Sequence, residues 1–320
     1  IAAEGGGIHR TVRDTRAASE EWLFARAAAW LSEMQAEGVT TVEIKSGYGL
    51  DLDNELKQLR VIAELARALP LRVVSTFMGA HEIPLDFKSR RAAYVDLLCE
   101  EMLPAVAEAR LARFCDVFCE EGVFTIAETR RILLAAKALG LAPRMHADEF
   151  VCTEGALLAA ELGCASADHL MAVSEAGIEA LAQAGVVAGL LPATTYMLGS
   201  SRYAPARTLI ERGVTVALAT DFNPGSCCCS NLPLIMNLGA TQLRLRFDEV
   251  LAAVTSNAAR SLLVHEETGR LAPGYAADFV LWDIPRPEYL VYHLGRRQAR
   301  AVYCGGELAY RNPAKPVFVG

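Results

Sequence analysis

Short β-branched runs alternate with longer helical stretches along most of this chain, and that alternation narrows its possible folds more than any other feature. The pattern predicts strands at Thr41–Lys45, Arg72–Phe77, Cys115–Cys119, Arg144–Ala147, Ser166–Asp168, Val186–Leu191 and Thr215–Ala219. Between them, apolar periodicity predicts helices over Thr15–Glu37, Asn54–Ala68, Ile126–Leu139, Glu154–Leu162, Ser174–Ala184 and Ala204–Glu211, and a helix-rich stretch over Phe87–Ala109. Repeated βα units with short connections make a mostly parallel sheet with helices outside it. The expected fold class is α/β, a (β/α)8 TIM-like barrel that shows seven of its eight strands. An open doubly wound sheet also accepts seven strands. No G-x-G-x-x-G follows the first strand, so a dinucleotide-binding version has little support.

The tail departs from this rhythm. After Gly269, alternating residues run through Ala277, Phe279, Val280 and Trp282. Two further strands, Ala299–Tyr303 and Leu308–Tyr310, flank Gly305-Gly306, a good hairpin turn. The expected division is a barrel over 1–268 and the C-terminal portion of a small β-sandwich over 269–320. A hairpin alone is marginally stable, so this portion needs partners.

Composition excludes several functions. A formal charge of −7 argues against a nucleic-acid binder but leaves room for a small anionic substrate in a locally positive pocket. No apolar run approaches the roughly 18 residues of a membrane span. Nine cysteines, three of them adjacent at Cys227–Cys229, do not read as a disulfide framework. A reducing, cytoplasmic setting is the simpler expectation.

Candidate chemistry gathers where strands end. His81, His146, His169 and Asp221 all sit there, and the C-terminal strand ends of a barrel form its active face. Each taken singly could be a hydrogen-bonded loop residue. His265 and His293 lack that placement and read as structural or surface residues. His9 is left open, because Gly5-Gly6-Gly7 could bring it to the pocket mouth.

His146 and Glu149 are spaced to put an imidazole on a metal and a carboxylate beside an attacking water. The competing role for Glu149 is capping the helix that starts near Cys152 or Thr153. The loop Asp221-Phe222-Asn223-Pro224-Gly225-Ser226 could offer backbone N–H groups to a carboxylate, or could be a plain Asx turn. Ser46-Gly47-Tyr48-Gly49 permits close approach and offers a phenol, or is an exposed aromatic loop. His146 and Asp221 alone are an incomplete set for zinc, which takes about four ligands.

Taken in order, the motifs are specific. They are Gly5-Gly6-Gly7-Ile8, Lys45-Ser46-Gly47-Tyr48-Gly49-Leu50, Gly79-Ala80-His81, Phe114 through Glu120, His146-Ala147-Asp148-Glu149-Phe150, Ala167-Asp168-His169-Leu170, Ala204-Pro205-Ala206-Arg207 and Thr220 through Ser226, with a Gly269-Arg270-Leu271 tail. This series resembles the imidazolonepropionase family of the amidohydrolase superfamily over nearly the whole chain. The resemblance implies hydrolysis of the ring C–N bond of 4-imidazolone-5-propanoate to N-formimidoyl-L-glutamate, in histidine breakdown. It implies one zinc or iron ion held by His146 and Asp221, Glu149 as proton shuttle, and His169 beside the developing oxyanion. It further implies that Tyr48, His81, Asn223, Gly225 and Ser226 contact the substrate, and that the enzyme is a homodimer.

Two departures accompany the match. The superfamily's His-x-His at the end of the first barrel strand, and the family's arginine shortly after it, have no counterpart here. The expectation is that the first strand, two ligands and part of the sandwich lie outside these 320 residues, which alone would bind metal weakly and be inactive. The Cys227–Cys229 triplet is also unexpected, and could alter the pocket rim or take a soft metal. A mononuclear deaminase reusing His146, Glu149, His169 and Asp221 is the enzyme alternative. A barrel that folds without catalysing is the other.

Overall fold

The computed structural model describes residues 7–318. Gly5 and Gly6 of the first motif lie outside them. Seven strands form one parallel sheet: β1 (Thr41–Lys45), β2 (Arg72–Ala80), β3 (Phe114–Cys119), β4 (Ala142–Ala147), β5 (Ser166–His169), β6 (Val187–Leu190) and β7 (Val216–Leu218). Each pairs only with its neighbours in sequence, in the order β1 to β7. A doubly wound sheet reverses its strand order at a switch point. This one never reverses, and it curls as part of a TIM-type barrel.

The helices cover the outside. They begin with α1 (Ile8–Ala17), α2 (Glu20–Ala36) and α3 (Leu52–Ala68), and continue with α4 (Arg91–Leu97), α5 (Leu103–Ala109), α6 (Ile126–Ala138), α7 (Gly155–Leu162), α8 (Glu175–Ala184) and α9 (Pro192–Met197). The single helix expected over Thr15–Glu37 is two helices. Ser19 accepts a hydrogen bond from the Trp22 N–H and starts α2 afresh, with Glu20 and Glu21 in its first turn. The stretch after Phe87 is α4 and α5 joined by a π-turn at Leu98–Met102. Helix α9 was not expected. Pro192 reads as a stop after β6, yet it occupies the first helical turn, where a missing N–H costs nothing.

The main core lies between sheet and helices and contains Phe77, Tyr94, Phe124, Leu98 and Ile132, all essentially inaccessible. Residues two apart on a strand face the same side. Glu43 and Lys45, Arg144 and His146, and Ser166 and Asp168 are such pairs, and they fill the inner face with charge. Gly189 faces Asp168 across β5 and β6, and a Cβ there would overlap the Asp168 carboxylate.

The tail forms a three-stranded antiparallel sheet of β8 (Phe279–Trp282), β9 (Ala299–Cys304) and β10 (Glu307–Arg311), in the order β10-β9-β8. Gly305 and Gly306 both have positive φ, 58° and 85°, as a two-residue hairpin turn between right-twisted strands requires. Arg297 ties the tail to the C-terminal end of α2 through Glu33 and the capping residue Glu37.

Candidate active site

The site is built at the C-terminal ends of β1 to β7. After β1, the chain turns through Ser46–Leu50, and one fully buried carboxylate shapes the turn. Glu55, on α3, accepts hydrogen bonds from the backbone N–H groups of Gly47, Gly49 and Leu50 at 2.8–3.2 Å. Burial pushes its pKa up, and these donors pull against that shift. Gly47, at φ 109°, permits close approach to β2: a Cβ there would sit 2.9 Å from the Met78 carbonyl oxygen. The His81 Nδ1 lies 3.0 Å from the Gly47 carbonyl, and the His81 ring meets Tyr48 edge-on at 5.1 Å. We predict that Glu55→Gln lowers stability by about 1–3 kcal/mol, because its amide turns a donor toward N–H groups that need an acceptor. Faster amide exchange confined to Gly47–Leu50 would accompany it. Unchanged exchange there would show that the turn holds itself.

From Tyr48 a run of rings crosses the site. His81 packs against Phe118 at 6.2 Å, Phe118 against His146 at 5.6 Å, and His146 against His169 at 5.2 Å. Burial, then the charge of His146, lowers the His81 pKa to about 4, so His81 is neutral. With Nδ1–H tied to Gly47, its Nε2 is left as an acceptor. Burial, then the Asp221 charge, raises the Tyr48 phenol above its ordinary range and keeps it a donor.

Glu149 is not used as a helix cap. Its neighbour Asp148 takes that role, accepting from the N–H groups of Thr153, Gly155 and Ala156 and from the Thr153 hydroxyl. Glu149 is therefore free, and it is only 7% exposed. Its Oε1 lies 3.6 Å from His169 Nδ1, a buried nitrogen without a hydrogen-bond partner among the described residues. Burial raises the Glu149 pKa, with His169 and His146 opposing and Asp221 and Glu120 adding to the rise. Glu120 also anchors this loop by accepting from the Phe150 N–H at 2.9 Å.

Asp221 reaches the same group of side chains from beyond β7. Its charge acts on Tyr48, His81 and Glu149. Thr194, on α9, donates to its Oδ2 at 2.5 Å. Asp221 itself has φ 51°, and Asp148, His169 and Leu170 are also left-handed, so uncommon backbone conformations gather around the site. The loop beyond Asp221 closes on itself. Asn223 Oδ1 accepts from the N–H groups of Gly225 and Ser226, and its amide donates to the Asp221 carbonyl and the Ser226 hydroxyl. This is the Asx-type turn. A ligand carboxylate would have to displace Asn223 Oδ1 to use those N–H groups.

His9 lies on α1, half-buried, and His293 stacks on Tyr292 and Phe318 in the tail.

The residues behind His146 went unassigned in the sequence. Asp116 Oδ1 lies 3.0 Å from His146 Nδ1, and Lys45 donates to Asp116 Oδ2 at 2.7 Å. Arg144 lies 3.2 Å from Glu43 and 3.3 Å from Asp168. Burial alone would push Asp116 up, but the charges of His146 and Lys45 outweigh it and hold the carboxyl well below its usual range. Burial likewise pulls His146 down, and Asp116 more than offsets it, taking the imidazole up to about 9.

Asp116, His146 and Asp168 bring one potential ligand atom each within 4.8 Å of one another. Lys45 and Arg144 already neutralise those two carboxylates, so this cluster holds its own cations. The remaining candidate ligands are the other ring nitrogen of His146, once it releases its proton, and the carboxylate of Asp221. An imidazole fixed by a carboxylate behind it, beside an acidic side chain, is a donor set that suits a divalent metal ion.

The amidohydrolase family profile matches residues 3–310. The imidazolonepropionase of Symbiobacterium thermophilum is 52% identical over 309 residues, 96% of this chain and 73% of that one. The imidazolonepropionase of Solibacter usitatus is 49% identical over 314 residues, 98% of this chain and 75% of that one. Among solved structures, an adenosine deaminase from Xanthomonas campestris with bound zinc shares the fold at a TM-score of 0.72 and 20% identity, over 93% of this chain and 72% of that one. A mutant atrazine chlorohydrolase from Arthrobacter aurescens, complexed with zinc and atraton, gives 0.73 and 19%, over 94% and 75%. The chain belongs to the amidohydrolase family, and its sequence relatives place it among the imidazolonepropionases.

Proposed function

We infer that this chain carries the hydrolase chemistry of its family, opening the ring C–N bond of 4-imidazolone-5-propanoate to give N-formimidoyl-L-glutamate in histidine degradation. The observation that carries the mechanism is Glu149, left free by Asp148 and buried against His169 within charge range of His146 and Asp221.

His146 and Asp221 would hold the metal, zinc or iron, together with further ligands. When bound, the ion supplies Lewis acidity that makes water nucleophilic near neutral pH. Glu149 takes a proton from that water. Its raised pKa brings it closer to the working range of a general base, and it later delivers the proton to the departing ring nitrogen. His169 stands beside Glu149 and stabilises negative charge growing on the former carbonyl oxygen. Neutral His81 offers an acceptor to a ring N–H, and Tyr48 offers a donor. Asn223, Gly225 and Ser226 receive the propionate once the Asx turn opens.

No helix among the described residues is long and apolar enough to cross a membrane. The nine cysteines are all free, which suits a reducing cytoplasm. The deaminases among the fold neighbours are about 20% identical or less and speak for the fold alone. The test is an assay of imidazolone absorbance loss with the full-length protein, beside a panel of cyclic amides and aminated bases, with metal content measured on the same sample. Turnover confined to the imidazolone, with about one zinc or iron per chain, is the expected result. Faster turnover of an aminated base would replace this assignment with deamination.

A further inference from the structure

We propose that Asp116 is a positioning residue for metal binding: its carboxylate, braced by Lys45, fixes the His146 ring so that Nε2 faces the ion. The inference rests on His146 being a metal ligand.

Asp116 is fully buried in the middle of β3, an otherwise apolar strand. An uncompensated carboxylate there costs several kcal/mol, so its partners explain its presence. Each of its oxygens has one. Oδ1 meets His146 Nδ1 at 3.0 Å, and Oδ2 takes a hydrogen bond from Lys45 Nζ at 2.7 Å. Lys45 Nζ is in turn held by Glu43 at 2.8 Å, and Glu43 by Thr76. The chain Thr76–Glu43–Lys45–Asp116–His146 thus crosses four adjacent strands, β1 to β4, and ends on one ring nitrogen. The carboxylate needs a donor from His146, so Nδ1 carries the proton and the ring cannot flip without leaving a buried oxygen unmatched. That leaves Nε2 as the nitrogen that releases its proton to take a cation. Oxygens that orient metal-bound imidazoles in this way are typically worth 10–100-fold in metal affinity.

Asp168 provides the internal contrast. It belongs to the same charged cluster and pairs with Arg144 at 3.3 Å, and its other oxygen accepts from Ser166. The His146 nitrogen bonds Asp116. If the requirement is general negative charge, both carboxylates matter; if it is the hydrogen bond, only Asp116 does.

The experiment measures zinc affinity by chelator competition in the full-length protein, with apo-protein melting recorded in parallel. Asp116→Asn is expected to weaken zinc binding about 10–100-fold. Asp168→Asn is expected to leave it within about threefold. Asp116→Asn combined with Lys45→Met removes the ion pair as a unit, so no lone charge stays buried. It should show the same affinity loss, which keeps the test open if the single variant folds poorly. His146→Ala is the reference and should lose the metal. Wild-type affinity in both Asp116 variants, with metal lost in His146→Ala, overturns the positioning role alone. Equal losses in Asp116→Asn and Asp168→Asn overturn it in favour of bulk charge. Full metal content in His146→Ala overturns the ligand assignment on which the proposal stands.

Discussion

Replacing Glu149 by Gln in the full-length protein will cut turnover by about 10²–10⁴-fold while leaving the metal in place. The substitution keeps shape and volume and removes only the ability to carry a proton. It leaves the local fold alone, because Asp148, not Glu149, holds the start of α7. It leaves the proposed ligands alone too, since His146 is held by Asp116 and Asp221 by Thr194. His169 cannot take over. Its Nδ1 lies 3.6 Å from Glu149, and in this mechanism the ring stabilises the oxyanion rather than moving the water's proton. The loss should therefore fall on kcat, with KM little changed, as expected when a group acts mainly in the transition state. Metal analysis and steady-state kinetics on one preparation decide it. Full turnover with full metal would remove Glu149 from the proton path.

How the site was legible in the sequence depends on which signal each residue carried. His81, His146, His169 and Asp221 stood out because ionisable residues at the ends of apolar strands are rare enough to notice. The strands themselves showed in their β-branched runs, within a few residues. β2 runs three residues past Phe77, and that extension was not legible because Met78-Gly79-Ala80 lacks β-branched residues. The charged lumen was visible in principle. Glu43-Ile44-Lys45, Arg144-Met145-His146 and Ser166-Ala167-Asp168 each repeat a polar residue at period two, which places both on one face. What no single-strand pattern contains is the register that sets Asp116 opposite Arg144 and His146 opposite Asp168. Partners more than 20 residues apart are assigned by the sheet, not by local spacing. The Asp148–Glu149 choice was hidden for the same kind of reason. Adjacent acids before a helix look interchangeable, but in the fold Asp148, with a left-handed φ of 51°, caps α7 while Glu149 lies beside His169.

The buried lumen also sets the largest expected effect on stability. Arg144→Met should destabilise the fold by about 3–5 kcal/mol, because it strands buried carboxylates without their counterion. Arg144 is 3% exposed and serves four groups at once. It pairs with Glu43 and Asp168, donates to the Ser261 carbonyl at 2.5 Å, and lies over the Phe114 ring at 5.3 Å. Methionine recovers some of the packing and none of the charge. Lys45 cannot compensate. It is engaged with Asp116 and Glu43, and stands 3.9 Å from Asp168. The pH dependence gives the sign. Burial raises the Asp168 pKa, but Arg144 and Lys45 outweigh it and hold the group low, so its contribution is present above the ordinary carboxylate pKa and lost as pH falls through the folded value. Without Arg144 that depression shrinks. The gap between variant and wild type should then be full near neutral pH and narrow only as pH falls below about 4, toward about pH 3. Denaturant melts at both pH values measure it, and a double-mutant cycle with Asp168→Asn should return a coupling above about 1 kcal/mol. A loss under 1 kcal/mol that does not change with pH would mean that water, rather than Arg144, balances the lumen carboxylates. The barrel interior would then be a wet channel instead of the dry, charge-matched support on which His146 depends.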